Sequence, residues 1–383
     1  MTVESIRLLV ISKHEALKVE MNRGLATATT RIATRDVAHS FTPKLWWLLP
    51  PVAALFYPQA SRALYASGKL LHRASGAAEV WAWLAIVVSV GLVYTVPAAG
   101  IAVAYLLGRR ERTSSSELLA RRLAHLAVAS PSLFVLIGVI FYLLHFPNGD
   151  SIFWPIIWLT VVAAIVWAMR TQDTETPPPF SANPIPLRFA HGTSALLIVL
   201  IFLAWHLLNH ATAAVGHEFN QAMMNSLRKW YRSELVQPVL VTLMLFQVVS
   251  GLALFWRATA TRSDPYRALQ TSTGAFLTAF IVSHLNAVFI LGRAVTKVDT
   301  TFLWASGAPV GLLPDPWNVR LIPHYSLGVW FVITHMGLGL RGVLLFHRVS
   351  VAAANRVAWA SSAVGAALAV TITLAQLAVH GAS

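Results

Sequence analysis

Four histidines and one glutamine stand inside long apolar runs of this chain. A titratable or strongly polar group is costly there, which makes each a candidate functional residue. His191 and His206 lie fifteen residues apart in RFAHGTSALLIVLIFLAWHLLNH (188–210), Gln247 lies in the run 234–256, His284 in 271–292 and His335 in 321–346. Two neutral imidazoles from different helices at one depth are what a low-spin b-type haem requires. Each supplies one axial nitrogen, and the porphyrin fills the core of the bundle. A small residue one turn from a ligand gives the flat macrocycle room. Gly251 follows Gln247 by four positions, as Gly339 follows His335. The plainer reading stays open for each residue alone: a mid-span histidine can be an interhelical hydrogen-bond partner, and Gln247 an ordinary buried amide. His145, His210, His217, His324 and His347 fall near segment ends and read as solvated, and Met223–Met224 as packing.

These groups need elements that can carry them across a bilayer. Of 383 residues, 56% are hydrophobic and only 11% charged. Runs of 18 or more apolar residues span ~30 Å of hydrocarbon as helices. The expected fold is an all-α polytopic membrane protein with spans near 80–108, 123–145, 152–169, 188–210, 234–256, 271–292, 321–346 and 357–380. That makes eight transmembrane helices, or nine if the short, proline-broken run 45–60 also crosses. Trp46, Trp47, Trp81, Trp154 and Trp230 fit interfacial belts. The chain divides into a polar tail (1–40), a membrane module of three or four helices (41–173), a proline-rich linker (174–186) and a five-helix module (187–383). The tail is mixed and polar, without the apolar core of a cleavable signal peptide.

A formal charge of +14 would suggest nucleic acid in a soluble protein. Here the basic residues sit mostly in loops, where anionic headgroups and orientation signals account for them, so no nucleic-acid partner is expected. Loops 109–122, 170–188, 257–270 and 341–356 hold 13 Lys and Arg against 6 in loops 146–151, 211–233 and 293–320, which puts the first set in the cytoplasm. At ~1.5 Å per residue, His206 lies ~27 Å and His284 ~20 Å from their cytoplasmic entries. Both fall in the outer half, whereas Gln247 and His335 fall in the inner half. Two polar layers result: His206 with His284 outside, Gln247 with His335 inside. RRLAH (121–125) faintly echoes LRFAH (187–191), either as a decayed duplication or as a common basic flank.

In order and spacing, residues 181–383 resemble the single-chain, five-helix cytochrome b membrane anchors of succinate dehydrogenases and fumarate reductases. Arg188, His191 and His206 match the first family helix, R-x-x-H with an axial histidine after 14 residues. GHEFNQAMMNSLRKWY (216–231) resembles the following polar loop. Leu269, Gln270, Thr273 and Gly274 match L-Q-x-x-T-G, ten residues before His284. Gln247–Gly251 and His335–Gly339 fill the two H-x-x-x-G sites, and 357–380 stands as the fifth helix. The resemblance implies His206 and His284 as axial ligands of an outer haem, and an inner haem held at 247 and 335. Position 247 is Gln, a poor ligand, which leaves three states for the inner site: empty, five-coordinate on His335, or occupied by something else. The N-terminal 180 residues have no counterpart in the family pattern, and GTSA (192–195) stands where the family has its small run after the early histidine.

The leading expectation is a membrane-embedded b-type cytochrome with one bis-histidine haem and a second in doubt at His335. It would pass electrons between quinone or quinol and a partner, a soluble redox subunit on the cytoplasmic side, in a bacterial cytoplasmic membrane. With no cysteine, the chain carries no iron–sulfur cluster and must borrow a second redox centre. Arg188 and His191 mark the cytoplasmic mouth, for partner or propionate contact, or in Arg188's case as a headgroup anchor. The main alternative is a haem-free structural scaffold with the same fold. A transporter fits less well, because no Asp or Glu lies mid-span. A haem-based sensor would need an output domain that the chain does not show.

Overall fold

Prolines set the starts of the first elements. After a 3₁₀ turn at Lys44–Leu48, Pro50 and Pro51 open α1 (Leu49–Leu55) and Pro58 opens α2 (Tyr57–Arg73), where the missing N–H would have been unpaired anyway. The run 45–60 is therefore two short helical pieces and part of a third, and none is among the helices long and apolar enough to cross a membrane. The computed structural model describes residues 44–110, 114–170 and 184–378. The tail 1–40 and most of the proline-rich linker lie outside the described residues.

Among the described residues, seven helices are long and apolar enough to span: α3 (Ala77–Gly108), α6 (Gly149–Arg170), α7 (Ile185–Thr212), α9 (Val236–Thr259), α10 (Pro265–Val295), α11 (Asn318–Phe346) and α12 (Val351–Ala378). A further pair, α4 (Ser115–Val128) and α5 (Ser130–Leu143), passes the same test together but is bent by 67°, the form of a broken span or a re-entrant loop. The chain is thus an all-α, multi-pass membrane protein. The run read as one span at 123–145 is this bent pair. Pro131 disfavours helical backbone at the residue before it and supplies no N–H, so the helix stops at Ala129 and restarts. Ser114 and Glu117 close a capping box on the first α4 turn.

GHEFNQAMMNSLRKWY, read as a polar loop, is mostly helix: α8 (His217–Tyr231) is amphipathic and buries Asn220 and Met224. Two of the tryptophans assigned to interfaces are core residues instead. Trp47 and Trp154 are each 1% exposed, and the Trp154 indole donates to Ala54 O at 2.8 Å. The N-terminal helices cover them, whereas Trp81 and Trp230 stay exposed.

The described residues from Trp46 onward form one compact unit, and one core cluster runs from Trp47, Tyr57 and Phe134 to Val319 and Ile322. The tie at the end of the bundle where α9 closes is Arg121 on α4, which is fully buried. Its guanidinium donates to Thr259 O, Thr261 O (2.8 Å) and Ser263 Oγ (2.6 Å), just where α9 ends. The last carbonyls of a helix have no partner within it, and a cation there also meets the negative end of the dipole. Gly108 makes room, since a Cβ there would stand 2.7 Å from Arg121 Cζ. At the other end Arg320 pairs with Asp150 and lies 4.1 Å over the Phe134 ring.

Helices α11 and α12 meet through small residues, as membrane helices do when close approach must replace the hydrophobic effect. A Cβ on Gly337 would stand 2.4 Å from Ser361 Cβ. We expect Gly337→Ala to cost ~1–3 kcal/mol through overpacking. A second change, Ser361→Gly, should restore most of the loss in thermal midpoint measured by circular dichroism in detergent. No recovery would refute this contact as the cause.

Candidate functional site

The imidazoles expected in the outer layer do come together. His206 on α7 and His284 on α10 have ring centroids 6.2 Å apart with planes inclined by 68°. His210, one turn further along α7, stands 4.6 Å from His206. All three line a cavity of about 130 Å³ at the end of the bundle that carries α8 and the 296–317 segment, the outer end on the charge count. Apolar partners hold the rings. Phe202 stacks on His206 (4.6 Å, 24°) and Phe280 on His284 (5.6 Å, 12°). Among the described residues, no hydrogen bond reaches a ring nitrogen of His206, His210 or His284. Three imidazoles with free nitrogens around a cavity inside a membrane bundle are an expensive arrangement unless a ligand uses them.

Local backbone presents these rings. Both helices turn from α to π geometry beside the histidines, at Val199–Leu203 before His206 and Asn286–Val295 after His284. A π turn is wider than an α turn, leaves a carbonyl to be satisfied from outside and recurs at functional sites. Trp230 of α8 supplies one such bond, its indole donating to Ile201 O at 3.2 Å. α8 thereby lies over the cavity. Arg228 fastens it to the far side through Asp299 Oδ2 (2.8 Å) and Thr300 O (2.8 Å), and Arg232 through Thr300 Oγ1 (3.1 Å).

The cavity mouth is cationic. Arg232 and Arg293 line it, and the Nε of each is buried with no hydrogen-bond partner among the described residues, as is Asn209 Oδ1. Arg293 also donates to Gln237 Oε1 at 2.8 Å. Burial first, and the neighbouring Arg228 charge second, push Arg232 below the usual guanidinium range. An acceptor with negative charge would satisfy these donors. Residue-by-residue reading missed both arginines, although each flanks an apolar run at the depth of the outer layer.

The inner layer differs from its expected form. Gln247 does not meet His335; its amide donates to His191 O (2.8 Å) and Ser194 Oγ (2.5 Å) and so ties α9 to α7. His191 Nδ1 lies 2.8 Å from Ser250 Oγ, and His335 Nδ1 lies 3.1 Å from both Gln270 O and Thr273 Oγ1. Gly251 stands beside His191, and Gly339 beside the Gln270 amide. Arg188 is exposed at the helix mouth, where a headgroup anchor belongs.

Of the histidines read as solvated, His145, His217 and His347 are exposed. His210 lines the cavity instead. His324 is 2% exposed, 3.1 Å from Ser132 Oγ and against Phe280, because the N-terminal helices cover that end of α11. His125, from the RRLAH echo, is fully buried with Nδ1 3.1 Å from Ser272 Oγ.

Among the described residues, no group of three or more His, Cys, Asp or Glu is placed to hold a metal ion. The pairs offer two donors each. Comparison with known proteins gives no match: no family model, curated protein or solved structure aligns with the chain.

Proposed function

We propose that this chain is a haem b membrane protein that passes electrons to or from quinone, with His206 and His284 as the axial pair. The observation that carries the reading is their separation. Two imidazoles on opposite sides of one metal have centroids ~6 Å apart, twice the sum of a ~2.0–2.1 Å metal–nitrogen bond and half a ring. The observed 6.2 Å, with the ring planes inclined by 68°, would suit His206 and His284 holding such a group between them. A donor set of only two suits a metal whose other positions are filled by a macrocycle.

Bound there, a haem supplies reversible one-electron transfer. The chain's part is to hold and shield it. His206 and His284 offer neutral nitrogens, Phe202 and Phe280 fix the ring planes, and Arg232 and Arg293 stand ready for carboxylates at the mouth. A quinol reaching this end from the bilayer would be the electron donor. Otherwise a soluble redox partner binds at the opposite, cytoplasmic end of a bacterial inner membrane.

One observation favours a haem-free scaffold instead: the 130 Å³ cavity is below the ~300–1,000 Å³ of ordinary ligand pockets, so a macrocycle must displace side chains as it enters. A dithionite-reduced minus oxidised spectrum of the purified full-length protein, with pyridine haemochrome quantitation, decides between them. At least one b haem per chain is expected. None after expression with ample haem supply leaves the scaffold.

A further inference from the structure

We infer that the N-terminal helices and the start of α11 enclose a separate binding site, one for the carboxylate or phosphate head of a small amphipathic organic anion. It lies at the same end of the bundle as the histidine cavity, and the 296–317 segment contributes residues to both. Its volume of about 350 Å³ falls within the ~300–1,000 Å³ of ordinary ligand pockets. The inference does not rest on haem, because no histidine is among the described residues that line this cavity.

The hydrogen bonds decide the sign of the ligand. Asp150 is the one carboxylate among the described residues lining the cavity, and both its oxygens are engaged. Oδ2 accepts from Arg320 Nη1 at 2.5 Å and Oδ1 from Ser151 N at 2.8 Å. Donors are left over. Arg320 has five side-chain N–H groups, and among the described residues only the bond to Asp150 uses one. Trp317 Nε1 has no acceptor there either, and the Ser61 hydroxyl, in a residue 4% exposed, is buried without a hydrogen-bond partner. Arg62 adds a second guanidinium. Two cations against one anion leave one positive charge in excess, so the group that satisfies this cavity accepts hydrogen bonds and is negative.

The shape agrees. Gly138 on α5 keeps the space beside these donors open. A Cβ there would stand 2.9 Å from Arg320 Nη1, 3.4 Å from Trp317 Nε1 and 3.8 Å from Asp150 Oδ2. The Arg320 guanidinium is fixed against rings, 4.1 Å from the Phe134 centroid and 5.7 Å from that of Trp317, while Asp150 holds one of its edges. A planar guanidinium held in this way offers its remaining edge as a fork, which the oxygens of a carboxylate or phosphate match. Phe141, Tyr142 and Phe146 stand around it as contacts for an apolar body. Tyr142 and Phe146 are exposed, so the cavity opens outward between them.

The test is isothermal titration calorimetry on the purified full-length protein in neutral detergent. Phenyl phosphate and benzoate are the probes, with benzyl alcohol and benzylammonium as controls. One equivalent per chain of at least one anionic probe is expected, and neither control should bind. Arg62→Gln, a change at an exposed residue, should weaken binding roughly tenfold or more. Trp317→Phe keeps a ring but loses the donor, and should weaken it about fivefold. Arg320→Gln together with Asp150→Asn removes the pair without orphaning a charge and should abolish binding. Native mass spectrometry identifies the source. A phospholipid retained by the parent and displaced by phenyl phosphate marks a lipid headgroup, whereas probe binding with no retained lipid marks a free organic anion. Benzyl alcohol binding as tightly as the anions overturns the charge assignment, as does an affinity unchanged by both Arg62→Gln and Trp317→Phe. Failure of both anions to bind, with no phospholipid retained, overturns the site. None of these outcomes depends on a haem spectrum, so the site and the proposed function fail separately.

Discussion

Replacing His206 or His284 by alanine should abolish the outer haem signal altogether, the largest single-residue effect expected in this protein. On the proposed reading each ring would supply one of two protein ligands, and among the described residues no group of three or more His, Cys, Asp or Glu is placed to hold a metal instead. His210 is the nearest substitute, 4.6 Å from His206 but one turn further along α7. His210→Ala should therefore keep the α-band in the reduced-minus-oxidised spectrum. The apo protein should still insert and fold, since neither ring makes a hydrogen bond among the described residues. A full α-band in both His206→Ala and His284→Ala would exclude the pair as ligands. Loss of the band in His210→Ala alone would move the axial position one turn along the helix.

The second large effect is structural. Arg121→Ala should lower stability by about 3 kcal/mol, because two buried acceptors and one part-buried acceptor lose their donor at once and an orphaned buried group costs ~1–3 kcal/mol. Two are carbonyls, of Thr259 and Thr261, that close the turn between α9 and α10. At roughly 2–4 °C per kcal/mol, the thermal midpoint should fall by about 6 °C or more. Arg121→Met keeps the bulk beside Gly108 but none of the bonds, and should lose as much. If Arg121→Met melts with the parent protein, the guanidinium is filling space and the turn holds itself.

The spans were readable in the sequence because a long apolar run has only one stable state in hydrocarbon, a helix with its backbone bonds closed inside the segment. The run read as 80–108 is Ala77–Gly108, and that read as 321–346 is Asn318–Phe346. Breaks were harder to see. Hydropathy runs unbroken through Ser130–Pro131, yet one missing N–H bends the chain there by 67°. α8 was passed over because its polar face hid a helical period.

The sequence by itself determined depth. Counting residues at a fixed rise put His206 and His284 in one layer, and they do meet. What it could not determine was direction, because the face a residue presents depends on every turn before it and on the neighbours packed around it. The π turns at Val199–Leu203 and Asn286–Val295 widen the two helices beside the outer histidines. In the inner layer depth alone paired Gln247 with His335. Packing turned the amide onto α7 and set His191 Nδ1 beside Ser250 Oγ, a choice made by the helix faces that come together.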